Sequence, residues 1–84
     1  MDIGRIKGTV VTNVKSPDMG NLPLLLVEGA NGVREVAVDT VSAGVGDEVL
    51  FVHGTAARLA VGNPNSTVDA AITAIIDTID ADTT

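Results

Sequence analysis

Three features of the sequence predict an all-β fold, a small barrel or sandwich. Turn-forming clusters recur at short intervals: Ser16-Pro17-Asp18-Met19-Gly20-Asn21, Ala30-Asn31-Gly32, Gly44-Val45-Gly46-Asp47 and Gly62-Asn63-Pro64-Asn65-Ser66. Each combines residues that fix φ or tolerate positive φ, which is the chemistry of tight turns. Between them lie short segments rich in β-branched residues at even spacing, as small all-β domains require. One of these segments, Val49-Leu50-Phe51-Val52, is apolar without alternation, so it needs cover on both faces.

Taken in order, the first strand is expected from Ile3 to Val14. At its start Arg5, Lys7 and Thr9 share one face, while Gly4, Ile6, Gly8 and Val10 share the other. Glycines on an inward face leave room for the sharp coiling of a narrow barrel. Leu24 to Glu28 forms a second strand limited by Pro23, and Val33 to Val41 a third, with Asn31-Gly32 suited to the tight connection between them. Glu48 to His53 is the fourth. One face of that strand enters the barrel and the other meets a neighbour. The last segment carries two readings. Val68, Ala71, Ile72, Ile75, Ile76 and Ile79 follow the spacing of an amphipathic helix, which Asn65 or Ser66 would cap. The β-branched run from Ile72 to Ile79 suits a pleat instead, with a helical turn at Ser66 to Ala70 ahead of it.

Composition bounds the function. The 84 residues allow one domain spanning 1–84, and so short a chain hides only about 60% of its unfolded surface. Yet 45% of the residues are apolar and Phe51 is the one aromatic, so the excess Val, Ile, Leu and Ala points to cover by other copies of the chain. A formal charge of −6 repels phosphate backbones, and with no Trp or Tyr there is no stacking platform for bases. No nucleic-acid partner is expected. The absence of cysteine excludes a disulfide scaffold and a thiolate zinc site, and suits a reducing, cytoplasmic setting. Met1 to Arg5 lacks the blocks of a signal peptide, and no apolar run approaches the ~20 residues of a membrane span. No membrane partner is expected either.

Catalytic, metal and cofactor chemistry finds no support in the residue pattern. His53 is the single histidine and has no second His or Cys for a zinc site, nor a recognisable nucleophile to activate. Gly44-Val45-Gly46 resembles a phosphate loop only superficially, because Asp47 and Glu48 follow and would repel an anion. Asp77, Asp80 and Asp82 lack the spacing of a calcium loop. Asn65-Ser66-Thr67 matches a glycosylation sequon that a chain without a signal peptide never presents.

Three longer segments carry a family resemblance. They are Asp39 to Leu50 (DTVSAGVGDEVL), Gly54 to Arg58 (GTAAR) and Ser66 to Asp77 (STVDAAITAIID), in that order and spacing, with Ile6 to Val11 fitting as a first strand. Together they resemble the EutN/CcmL family of pentameric vertex proteins in bacterial microcompartment shells. The resemblance covers nearly the whole chain. Ser42 stands where that family usually has glycine, the Glu28 to Arg34 connection is shorter than in many members, and Asp80 to Thr84 is a short polar end.

The resemblance implies a five-stranded barrel related to the OB-fold, with one short helix, Ala56 to Ala60, after the fourth strand and Ile72 to Ile79 as the last strand. It implies a homopentamer that caps shell vertices of carboxysome or metabolosome type, meets hexameric and pseudohexameric shell proteins, and uses no cofactor. The segments it maps onto subunit contacts and vertex surface include Asp39, Val41, Ala43, Gly44, Gly46 and Asp47. They also include Val49 and Phe51, Gly54, Ala56, Ala57 and Arg58, and Asp69. A small OB-like binding or regulatory subunit is the alternative, which native mass separates from a ring of five.

Overall fold

A computed structural model describes residues 1–13 and 15–80. Val14, the expected end of the first strand, and Asp82 of the calcium candidate lie outside the described residues, as does the rest of the polar end from 81 to 84. Five strands close into a barrel: β1 (Asp2–Val10), β2 (Leu24–Gly29), β3 (Arg34–Asp39), β4 (Glu48–His53) and β5 (Ala70–Ile75). A 3-10 turn (Pro17–Met19) precedes β2, and helix α1 (Gly54–Ala60) follows β4. Around the barrel the order is β1-β2-β3-β5-β4, with β4 returning to β1. All neighbours are antiparallel except β3 and β5.

The barrel interior is filled by Ile6, Leu25, Val27, Ala37, Val49, Phe51, Ala70 and Ile72. Ile6, Val27, Val49 and Ile72 are fully enclosed, and burying each such side chain stabilises the fold by about 1.5–3 kcal/mol. A second cluster lies outside the barrel wall. Ala57 of α1 is buried against Leu24, Val38, Val52 and Ala71, the residues of opposite parity on their strands, and against Val68 just ahead of β5.

Several boundaries differ from expectation, each for a local reason. β1 ends at Val10, and a bulge at Lys7 sets Ile6 opposite Val27 but Gly8 opposite Leu26. The extra residue reverses the alternation. Gly4 and Ile6 therefore point inward as expected, whereas Gly8 is turned out and Val10 joins the cluster beneath α1. β3 begins at Arg34, because the carbonyl of Val33 closes the turn by accepting from Gly29 N at 2.9 Å. It ends at Asp39 rather than Val41, where the Asp39 carboxylate captures the following backbone.

The last segment is a strand, although its apolar spacing also fits a helix. Ala70 and Ile72 enter the barrel while Ala71 packs beneath α1, so β5 is buried on both sides. No helical turn forms at Ser66 to Ala70. Ser66 is buried there, its Oγ donating to Asp18 O (3.0 Å) and accepting from Val68 N (3.1 Å). Regular pairing stops at Ile75 rather than Ile79, with Ile76 N still donating to Glu48 O. The helix after β4 starts two residues earlier than expected, at Gly54, whose φ of 61° admits the sharp exit from the strand.

β4 settles the reading of its apolar run. Val49 and Phe51 enter the barrel. Of the outward pair, Val52 is covered by the chain's own helix rather than by a neighbour, and Leu50 remains half-buried.

Candidate functional site

The connection from β3 to β4 is built around two carboxylates. Asp39 is buried, and its oxygens accept from Val41 N at 3.0 Å and Ala43 N at 2.9 Å. Those bonds bend the chain so that Val41 and Ala43 pack on the open end of the barrel core, and Ser42 between them takes a φ of 60°. Asp47 closes the next turn by accepting from Gly44 N at 2.8 Å, with Gly46 at a φ of 94°. Gly46 and Asp47 also exchange backbone bonds with Ile6, and Arg5 donates to Gly46 O at 2.8 Å. The loop is thereby tied to β1 as well as to its own strands.

The remaining predicted positions divide by exposure. Val49, Phe51 and Ala57 are enclosed within the chain and act through its shape. Ala56 is exposed, and Arg58 lies on the last turn of α1, donating to Thr55 Oγ1 at 3.2 Å. Asp69 is exposed, and its carbonyl accepts from Gly54 N at 2.9 Å, joining the start of α1 to the start of β5. The structure thus brings Gly54 and Asp69 together, while the Asp39–Asp47 loop forms a separate surface.

An apolar groove was not among the predicted sites. Ile3, Leu50, Ala74, Ile75, Ile76 and Ile79 line a shallow depression of about 540 Å³ on the outer face of β1 and β4, extending past the end of β5. Ile3 and Ile75 are each 43% exposed and Ile79 56%. Ile3 and Leu50 are cross-strand partners, so the apolar run of β4 was the sequence signal, but its partner on β1 becomes visible only with the register. This is grease that a single chain leaves wet.

A second unpredicted cluster sits at one end of the barrel. His53 Nε2 lies 2.5 Å from Glu35 Oε1, and Nδ1 lies 3.3 Å from Asp2 Oδ2. The imidazole also meets the Phe51 ring edge-on, with centroids 5.2 Å apart. The two carboxylates approach opposite ring nitrogens, so they do not converge on a common point. Among the described residues no group of three His, Asp or Glu side chains is placed to hold a metal ion. No described helix is long and apolar enough to cross a membrane.

Residues 1–77 match the family described as ethanolamine utilisation protein EutN/carboxysome. The carboxysome shell vertex protein CcmL of Gloeobacter violaceus is 41% identical, over 98% of this chain and 88% of its own. The bacterial microcompartment shell vertex protein PduN of Salmonella typhimurium is 40% identical, over 94% of this chain and 98% of its own. Among solved structures, the pentameric microcompartment shell protein GrpN of Rhodospirillum rubrum superposes with a TM-score of 0.85 at 34% identity, covering 96% of this chain and 99% of that one. With the barrel order, the helix after β4 and the family match agreeing along the chain, this protein belongs to the EutN/CcmL family.

Proposed function

We propose that five copies of this chain form a ring that caps a vertex of a bacterial microcompartment shell, a structural rather than a catalytic task. The observation that carries this reading is the apolar groove of Ile3, Leu50, Ile75 and Ile79, open in the single chain of a family with a pentameric relative. A contact between two different surfaces, repeated about a rotation axis, closes into a ring. In such a ring each groove is covered by the next copy, and the half-buried Leu50 gains the outer cover its strand lacks. The Asp39–Asp47 loop, the Gly54–Arg58 turn and Asp69 contribute the adjoining contacts and the vertex surface. Hexagonal units tile a plane, and a unit of fivefold symmetry introduces the curvature that closes it. Hexameric and pseudohexameric shell proteins are therefore the partners, and the setting is the shell within the cytoplasm.

Native mass spectrometry tests the ring. A species of five chains at micromolar concentration is expected, and a monomer alone overturns the proposal. Co-expression with the hexameric partners should give sealed shells, and omission of this chain should give shells that leak small dyes. Equally sealed shells without it, and without a related vertex protein, would refute the vertex role.

A further inference from the structure

A ring built from one kind of chain needs two different surfaces on each copy, and the apolar groove is one of them. β2 and β3 are the two strands that do not border β4, so their outer face lies across the barrel from the groove. On that face Leu26 stands opposite Val36, and Glu28 opposite Arg34. These residues have the parity that points away from the core, because Leu25, Val27 and Ala37 fill the interior. Val36 is 44% exposed and Leu26 is half-buried. β1 sets Gly8 beside Leu26, and a Cβ on Gly8 would meet nothing within 4 Å. No β1 side chain screens the apolar pair, so it lies open on a flat surface.

Charge distinguishes the two faces. Glu28 Oε2 is shared by two cations, with Lys7 Nζ at 3.4 Å and Arg34 Nε at 3.8 Å. That leaves one positive charge in surplus beside Leu26 and Val36, in a chain whose formal charge is −6. The groove has the opposite sign, since Asp77 is the one charged residue in its lining. We propose that the outer face of β2 and β3 in one copy fills the groove of the next. This pairing rests on the ring proposed above and names the surface that covers each groove. Leu26 and Val36 meet Ile3, Leu50 and Ile75, while Lys7 and Arg34 gain Asp77 as a second carboxylate. Complementary charge beside an apolar contact fixes its register and excludes wrong pairings. The exposed Leu59 of α1 is the rival apolar surface. α1 packs on β4 and β5, however, the same side of the barrel as the groove. Two contacts on one side of a chain do not lead around a ring.

Cross-linking of the full chain tests the pairing, because the sequence has no cysteine of its own. Val36→Cys combined with Ile75→Cys, treated with a short bis-maleimide, should give a ladder of linked chains that ends at five. Leu59→Cys combined with Ile75→Cys should link no chains. An intact ring without links between Val36→Cys and Ile75→Cys, or a ladder from Leu59→Cys instead, overturns the pairing. If the cysteine variants do not assemble, charge reversal decides. Arg34→Glu and Asp77→Lys should each raise the concentration for half-assembly on the order of fivefold. The double variant should return close to the wild-type value. Equal assembly of wild type, both single variants and the double variant also overturns the pairing. A wild-type chain that forms no ring overturns the vertex reading instead, so the two failures are told apart.

Discussion

Gly4 and Phe51 share one volume at the end of the barrel. A Cβ on Gly4 would lie 2.8 Å from Phe51 Cε1, as well as 2.6 Å from Val27 Cγ1 and 2.9 Å from the carbonyl of Glu28. The one phenyl ring of the chain fits the narrow interior because β1 contributes no side chain at this point. Gly4→Ala should therefore cost about 2–3 kcal/mol, since rigid backbone and core atoms must move. Gly8→Ala is the control, because a Cβ there meets nothing within 4 Å. It should be neutral or stabilising by up to about 1 kcal/mol. Thermal unfolding of both variants checks the contrast, and equal melting temperatures would refute the packing account.

The two faces of β4 should respond differently to charge. Phe51 is 3% exposed inside the barrel, so Phe51→Asp should cost about 3 kcal/mol or more and prevent folding. Leu50 faces the groove, so Leu50→Asp should give a folded barrel that no longer assembles. Circular dichroism with sedimentation reads both. A stable ring in either variant would show that one face of this strand tolerates a carboxylate.

Ser42 holds a φ of 60°, a backbone conformation that side chains other than glycine occupy at a cost of about 1–2 kcal/mol. Ser42→Gly removes that strain and adds the larger chain entropy of glycine. The net expectation is a gain of about 0.5–1 kcal/mol in chemical denaturation. A loss of stability would mean that the hydroxyl has a compensating role.

Asp39 satisfies two backbone donors from a buried position. Asp39→Ala leaves Val41 N and Ala43 N without their acceptor and should cost about 2 kcal/mol or more. Asp39→Asn keeps one carbonyl oxygen and should fall between. Amide exchange at Val41 and Ala43 should rise in the same order, and unchanged exchange in Asp39→Ala would refute the role.

Much of the barrel is legible where one residue pattern has one solution. Glu48–His53 runs between a glycine turn and Gly54, and its bounds match the expectation. The final segment is ambiguous because Ile72, Ile75, Ile76 and Ile79 follow a helical spacing yet are β-branched residues that suit a pleat, and burial of both faces of β5 decides between the two. The reversal beyond Lys7 is invisible in the sequence, since a bulge depends on the register with β2. Val52 illustrates a third kind of gap. Its need for cover is plain from its neighbours, but whether the cover is helix or partner depends on where Ala57 lands. For His53 a signal did exist: Asp2, Glu35 and His53 are polar residues at strand ends, opposite in charge when the ring is protonated. Their meeting required closure of the barrel.

β5 sits between β3 and β4 and is the last of the five barrel strands to be synthesised. Until it arrives, β3 and β4 each present an unpaired edge. Unpaired edges are templates for association with other growing chains. Productive ring formation therefore has to wait for the final insertion, which makes barrel closure a checkpoint between synthesis and assembly. A chain stopped before Ala70 should pellet with the insoluble fraction instead of joining the ring.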